Sequence, residues 1–217
     1  MKLSNTQREL FWILVPLAVI TLAYLLRVVG YFTAIPGDLG DARFNNIILE
    51  HDYRWLIGLE PSLFTPRFFH PFTNTLGFSD NLFGSAPVYI LFRALGFSRE
   101  LAYDFWFLLG HVTNYLAAYL VCRRLGISPM GAAFGAFVFA YALPMLVKAG
   151  HAQLLYRFAA PFALLAVWRL FERRRLIYLG AAAFWVAVQF YLAIYQGLFL
   201  LMLLAAFAVY LFVVERH

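Results

Sequence analysis

Long apolar runs constrain this chain more than any other feature, because each can cross a lipid bilayer. A transmembrane helix needs about 20 predominantly apolar residues. Six stretches approach or exceed that length: 10–32, 101–122, 129–147, 152–171, 176–195 and 197–214. The chain is 64% apolar and 13% charged, whereas soluble domains average about 45–50% and about 25%. We predict an all-α polytopic membrane protein with about six transmembrane helices, forming a single domain over 1–217.

A seventh apolar run, 81–97, is shorter and is interrupted by Gly84 and Pro87. If it crossed the membrane, the basic clusters at 123–124 and 172–175 would face outward. If it does not cross, both clusters join the basic N-terminus on the cytoplasmic side, as the positive-inside rule requires. We therefore predict that both termini are cytoplasmic and that 81–97 is an interfacial or re-entrant helix. The arginines at span ends explain most of the net charge of +6, so the charge indicates no nucleic-acid partner.

This topology makes 33–100 one long extracytoplasmic segment, which contains seven of the eleven acidic residues. Helical periodicity over 42–59 predicts an amphipathic juxtamembrane helix that lies on the outer membrane surface. Glu50 and Arg54 are four residues apart, a spacing that favours an ion pair on the polar face of that helix. The first apolar run is longer than the core of a signal peptide, so we expect an uncleaved first span.

Two aspartates occur in the sequence Gly-Asp-Leu-Gly-Asp, just after the first span. The glycines allow a tight turn that brings the carboxylates of Asp38 and Asp41 together. Asp41 could simply accept hydrogen bonds as the N-cap of the following helix, and Asp38 could be a turn former. Alternatively, either carboxylate could act as a general base. The motif alone leaves these alternatives open.

Cationic side chains follow the third span on the outer side, where they run against the positive-inside rule. Lys148 and His151 are three residues apart, and Arg157 is expected about one turn inside the fourth span. An intramembrane arginine is a functional candidate, although its side chain could also reach the interface. Arg67 could join the same cationic lining, which would suit a phosphate ligand. Asp80 is expected either to cap the helix at 81–97 or to be a second carboxylate that faces Asp41.

Three phrases carry a family resemblance: GDLGDARFNNIILEHDYRWL, FFHPFTNTLGFSDNLFGSAPVYILFRALG and GHAQLLYRFAAPFALLAVWRLFERRR. Together they resemble the GT-C superfamily of integral-membrane glycosyltransferases, and most nearly its YfhO-like and related bacterial polytopic members. The resemblance implies transfer of a sugar, usually with inversion, from a polyprenyl-phosphate donor to an extracytoplasmic acceptor in the bacterial cytoplasmic (inner) membrane. Asp41 matches the family's general base, with Asp38 as its rival. Lys148, His151 and Arg157 match its donor-phosphate contacts, and the family also implies a possible divalent metal ion.

The alternative function is non-enzymatic: a membrane transporter, or an assembly partner, for lipid-linked glycans. A proton-coupled transporter normally carries acidic residues deep in its spans, and only Asp104 approaches such a position. The chain also has fewer spans than the eight or more usual in the resembled family. We therefore expect an amino-terminal fragment of a longer protein, surrounded by membrane lipids.

Overall fold

The computed structural model describes residues 4–142, 147 and 149–214, and all the regular structure within these ranges is helical. The main helices, in chain order, are α1 (Asn5–Val28), α2 (Asp41–Leu56), α3 (Ala86–Ala94), α4 (Arg99–Arg124), α5 (Pro129–Tyr141), α6 (Ala159–Arg173), α7 (Ile177–Leu192) and α8 (Ile194–Val214). Helix α1 contains a π-helical turn at Thr21–Leu25. The prediction of an all-α protein is confirmed for the described part of the chain.

Among the described residues, four helical segments are long and apolar enough to cross a membrane: Asn5–Val28, Arg99–Arg124, Ala152–Arg173 and Ile194–Val214. The third joins a short 3-10 turn to α6. Helices α5 and α7 are also apolar but have only 13 and 16 residues. At 1.5 Å per residue they extend over about 20 and about 24 Å, less than the hydrocarbon core of about 30 Å. The chain is thus a helical membrane protein with four segments of spanning length.

The helices differ from two of the predicted runs at their C-terminal ends. The first helix ends at Val28 rather than near residue 32, and Tyr31 has a left-handed φ of 52°. The third ends at Tyr141, and most of the rest of its predicted run lies outside the described residues. The fourth candidate span, Ala152–Arg173, agrees with the predicted 152–171, although its α-helical part begins at Ala159.

Polar contacts show which helix ends lie together at each end of the bundle. At one end, Arg123 Nε is 2.9 Å from Glu9 Oε1, which joins the end of α4 to the start of α1. At the other end, Gly84 N donates to Tyr191 O at 2.7 Å, which joins the segment before α3 to the end of α7. We call these the Arg123 end and the Asp41 end. The long segment between α1 and α4 lies at the Asp41 end together with residues 149–158, which precede α6.

Helices α4 and α5 pack closely through small side chains. The sequence places Gly131 and Gly135 four residues apart with alanines nearby, a pattern that predicts a close helix–helix contact. Ala132, Ala136 and Ala140 are fully buried, and a Cβ at Gly135 would lie 3.5 Å from Cys122 Sγ. The small-residue face therefore forms part of the core of the bundle.

Helix α2 forms close to its predicted bounds, but several of its polar side chains are buried. Asn45, Asn46, His51 and Asp52 are all buried. Asn46 Nδ2 donates to Arg99 O at 3.2 Å, and His51 Nε2 lies 3.1 Å from Ser62 O. Polar groups of the protein thus bond to Asn46 and His51, whereas neither carboxylate oxygen of Asp52 has a hydrogen-bond partner among the described residues.

The predicted ion pair between Glu50 and Arg54 is also wrong. Glu50 Oε2 accepts hydrogen bonds from Arg93 Nε and from Tyr89 Oη, both at 2.8 Å. Arg54 Nε instead donates to Glu60 Oε1 at 3.1 Å. The Glu50–Arg93 pair therefore joins α2 to α3. This charge-assisted contact between two helices forms in place of the weaker ion pair that was predicted along α2.

Candidate functional site

Two glycines allow the segment after α1 to touch the segment before α6. Gly37 has a φ of +99°, and a Cβ placed there would lie 2.6 Å from Gly150 Cα. A Cβ on Gly150 would lie 2.6 Å from Asp38 Oδ2. Neither position can hold a larger residue without a shift of backbone or carboxylate. The segment after α1, which carries Asp38 and Asp41, therefore meets the segment before α6, which carries His151.

Asp38 forms the predicted turn. Its Oδ1 accepts a hydrogen bond from Gly40 N at 2.9 Å, two residues later, which is the Asx-turn pattern of loop aspartates. The side chain also lines a cavity of about 520 Å³ at the Asp41 end. The other lining residues are a mixture of polar and apolar types: Ala34, Ile35, Gly37, Leu39, Arg43, Asn46, Ile47, Arg99 and Glu100. Asp38 is thus a turn former and, with Glu100, one of two carboxylates that line this cavity.

Asp41 is the first residue of α2 and not its N-cap. The N-cap position belongs to Gly40, and no side chain caps the helix there. Asp41 Oδ2 lies 3.6 Å from His151 Nε2 and accepts a hydrogen bond from Gln153 Nε2 at 3.4 Å. Both partners of the Asp41–His151 pair are about half exposed. A carboxylate beside an imidazole, open to solvent, is suited to accept a proton from a bound hydroxyl.

Two amide side chains hold this pair in place, and neither was predicted to do so. Gln153 Oε1 accepts a hydrogen bond from Asn45 Nδ2 at 2.8 Å, while its amide nitrogen reaches Asp41. Asn45 is four residues after Asp41, so both lie on one face of α2. That spacing was a usable signal for Asn45. The contact of Gln153 with α2 spans more than a hundred residues and has no local signal.

Arg157 lies before the start of α6 rather than one turn inside a helix. Its Nη2 donates to Phe139 O, and the guanidinium carbon is 4.8 Å from the centre of the Phe139 ring. Its backbone N–H donates to Asn114 Oδ1 at 3.0 Å. The Nε atom is buried and has no hydrogen-bond acceptor among the described residues. Within that part of the chain the guanidinium also has no carboxylate partner, which is costly for an intramembrane charge.

An apolar groove adjoins Arg157 through the shared residue Phe139. It has a volume of about 540 Å³ and runs between α4, α5, α6 and α8. The lining is almost entirely hydrocarbon: Ala118, Val121, Cys122, Leu125, Ile127, Gly135, Phe139, Pro161, Leu164, Leu165, Trp168 and Phe207. A positive charge beside an apolar groove matches an amphiphile with an anionic head.

The remaining predicted site residues lie elsewhere or outside the described part of the chain. Asp80 Oδ1 accepts a hydrogen bond from Ile194 N at 2.8 Å, so it caps α8 and not the helix at 81–97. Burial raises the pKa of the Asp80 carboxyl, and the hydrogen bond from Ile194 partly opposes that shift. Arg67 Nε is 3.4 Å from Glu60 Oε2. Lys148 lies outside the described residues. The structure therefore brings together Asp38, Asp41 and His151 from the predicted set.

No family model, curated protein or solved structure matches this chain. Among the described residues, no three histidine, cysteine, aspartate or glutamate side chains lie together in a way that could hold a metal ion.

Proposed function

We propose that the chain is part of an inverting membrane glycosyltransferase that moves a sugar from a polyprenyl-phosphate donor to an extracytoplasmic acceptor. The observation that carries this proposal is the meeting of Asp41 and His151, whose side chains approach to 3.6 Å. They come from two segments separated in sequence, and Asp38 lines a polar cavity beside them. A carboxylate–imidazole pair next to a cavity of saccharide-compatible polarity suits the deprotonation of an acceptor hydroxyl.

In the proposed reaction, the Asp41 carboxylate accepts the proton of the acceptor hydroxyl. The freed oxygen attacks the anomeric carbon of the donor sugar, and a new glycosidic bond forms as the bond from that carbon to the phosphate oxygen breaks. The polyprenyl phosphate leaves with the electron pair. His151 orients the carboxylate, and the hydrogen bond from Gln153 restricts its rotation. Fixed positions of this kind lower the entropic part of the barrier.

The proposal includes six membrane crossings in the bacterial cytoplasmic membrane, with both termini in the cytoplasm. Helices α5 and α7 are then short crossings, which a locally thinner bilayer or flanking residues accommodate at modest cost. Arg123 and Arg124 end α4, and Arg169 Nη2 donates to Arg124 O at 3.1 Å. The end of α6 therefore joins the same basic end of the bundle. By the positive-inside rule, the Asp41 end faces outward.

Cysteine labelling tests this orientation. The native Cys122 is first replaced by alanine, and a single cysteine is then placed at Ser98, which precedes α4 at the Asp41 end. We expect a membrane-impermeant maleimide to label Ser98→Cys in intact cells. Ser128→Cys, at the N-cap of α5 just beyond the other end of α4, is the matched control and should be labelled only after permeabilisation. The reverse pattern contradicts the proposed orientation.

The lipid donor is proposed to lie with its chain in the apolar groove and its phosphate near Arg157. Replacement of a charged hydrogen-bond donor typically costs about 1.5–3 kcal/mol, so Arg157→Gln should lower kcat/KM for the donor about 10- to 100-fold. Transfer of a radiolabelled sugar in proteoliposomes measures this. Arg157→Lys should retain part of the activity, since it keeps the charge. Arg27→Gln removes an exposed arginine and should leave the donor kinetics unchanged; an equal loss in both glutamine variants removes Arg157 from the donor site.

A proton-coupled transporter is the second candidate, favoured by one observation. Asp104 is 1% exposed within α4, and neither carboxylate oxygen has a hydrogen-bond partner among the described residues. His111 is buried two turns further along the same helix. Buried acids of this type mark proton pathways in many transporters. If this function is correct, Asp104→Asn should abolish proton-driven uptake of a glycolipid, whereas a glycosyltransferase should retain transfer in this variant.

A further inference from the structure

A second cavity, of about 360 Å³, lies beside the first at the Asp41 end. Three of its lining residues are arginines, at positions 54, 67 and 99, and we call it the arginine pocket. Its remaining lining residues are Ile47, Glu50, His51, Glu60, Pro66 and Phe68. The pocket shares Arg99 and Ile47 with the larger cavity. It is separate from Asp41 and His151, which line neither cavity.

Glu60 orients two of these arginines. Its side chain is 7% exposed, whereas those of Arg54 and Arg67 are 40% and 80% exposed. Glu60 accepts from Arg54 Nε at 3.1 Å and from Arg67 Nε at 3.4 Å. Among the described residues, the terminal Nη groups of both arginines have no acceptor. A buried carboxylate thus fixes both guanidinium groups by their Nε atoms and leaves their outer donors free.

Glu60 remains ionised while it does so. Burial raises the pKa of its carboxyl. The hydrogen bond from Arg54 and the charge of Arg67 lower the pKa by more than burial raises it, so the pKa lies below its ordinary value. The other acid of the pocket, Glu50, is already matched by Arg93, whose Nε and Nη2 lie 2.8 and 3.1 Å from its carboxylate. Arg99 is paired with Glu100, whose Oε1 lies 3.2 Å from Arg99 Nη2. Arg54 and Arg67 share a single carboxylate, so one positive charge of the three arginines remains without a counter-charge.

We propose that the arginine pocket is a binding site for a phosphate group. Paired guanidinium forks match the oxygen geometry of phosphate and bind it through two parallel hydrogen bonds. Because Glu60 already holds Arg54 and Arg67, little rotamer entropy is lost on binding. The volume leaves room for a small group attached to the phosphate. The site is independent of the proposed sugar transfer, since it requires neither Asp41 nor a lipid chain in the apolar groove.

Isothermal titration of the full chain with inorganic phosphate tests the site, first in a neutral detergent. The titration is then repeated in nanodiscs of phosphatidylcholine, and in nanodiscs that also contain phosphatidylglycerol. We expect saturable binding in detergent and in phosphatidylcholine. Binding that persists with phosphatidylglycerol identifies a soluble phosphate ester as the ligand type, while its loss there identifies a lipid headgroup. An absence of binding in all three settings overturns the proposal.

Arg67→Gln is the informative variant, because this exposed side chain can change without disturbing the buried Glu60–Arg54 contact. Loss of one charge-assisted hydrogen-bond donor should weaken phosphate binding about tenfold or more. Arg175→Gln removes the same charge from an exposed position after α6 and should leave the affinity unchanged. If both variants weaken binding equally, only the net charge of the protein matters, and the pocket is not a site.

Discussion

Asp41→Asn is expected to insert and fold like the wild-type protein while sugar transfer falls by about a hundredfold or more. A general base contributes about 10²–10⁴-fold in rate, and asparagine cannot accept the proton. The fold should tolerate the change, because Gly40 holds the N-cap position and no side-chain cap is lost. The 3.4 Å contact with Gln153 can be kept by the amide oxygen of asparagine. The stability cost is then limited to the interaction of one charge with the helix dipole, about 0.3–1 kcal/mol.

Transfer of a radiolabelled sugar in proteoliposomes measures the activity, and thermal unfolding in detergent measures the stability. Asp38→Asn is the matched control, since it changes the neighbouring carboxylate of the same turn and can still accept the hydrogen bond from Gly40. If Asp41 is the base, only Asp41→Asn should show the large loss. A large loss in Asp38→Asn alone would transfer the role to the carboxylate that lines the cavity. Normal activity in both variants would falsify the enzymatic role of this turn.

Asp52→Asn is expected to reduce a steep pH dependence of stability. Asp52 is 4% exposed on α2, and neither oxygen has a hydrogen-bond partner among the described residues. Burial raises the pKa of its carboxyl from 3.8 to about 8. Between these values the folded protein keeps a proton that the unfolded chain releases. The free energy of unfolding should therefore fall as the pH rises from about 4 to about 8, by up to about 1.4 kcal/mol per pH unit.

Thermal or denaturant unfolding in detergent across that pH range measures the effect. Over that window the wild-type protein should lose stability as the pH rises. Asp52→Asn should lose less, because the contribution of Asp52 is removed while that of the buried Asp80, whose pKa is also raised, remains. The difference between the two proteins should be largest at and above pH 8, in favour of the variant. Glu172→Gln changes an exposed carboxyl on α6 and should leave the wild-type slope intact. Parallel pH profiles for wild type and Asp52→Asn would contradict a protonated, buried Asp52.

Much of the architecture could be predicted because the relevant signals are local. Apolar runs indicated α1, α4 and α8 to within a few residues at most ends, and the small residues of α5 indicated its buried face. The helix at 41–56 was found from its periodicity. The environment of this helix could not be predicted. Other segments of the chain bury four of its polar residues, and the periodicity of α2 carries no information about those segments: the four are Asn45, Asn46, His51 and Asp52. These four polar residues face other parts of the protein, whereas Arg43 on the same helix is exposed.

The candidate site was only half predictable for the same reason. Gly-Asp-Leu-Gly-Asp indicated a tight turn with two carboxylates, and the turn through Asp38 is present. The sequence did not distinguish a capping Asp41 from one directed at another segment, because that depends on where residues 150–153 lie. The sequence suggested that Arg67 could join the cationic lining around His151, and in the structure Arg67 pairs with Glu60, seven residues away.

The sequence by itself determined that this chain is helical and which segments are apolar enough for a membrane, because hydrophobic burial accumulates over neighbouring residues. Tertiary structure decided which polar groups pair. Glu50 meets Arg93, 43 residues later, and Asp80 caps a helix that begins 114 residues later. A buried charge or open helix end takes whichever complementary group the packing brings within about 3 Å. That distance exists only once the helices have assembled, so no local pattern encodes it.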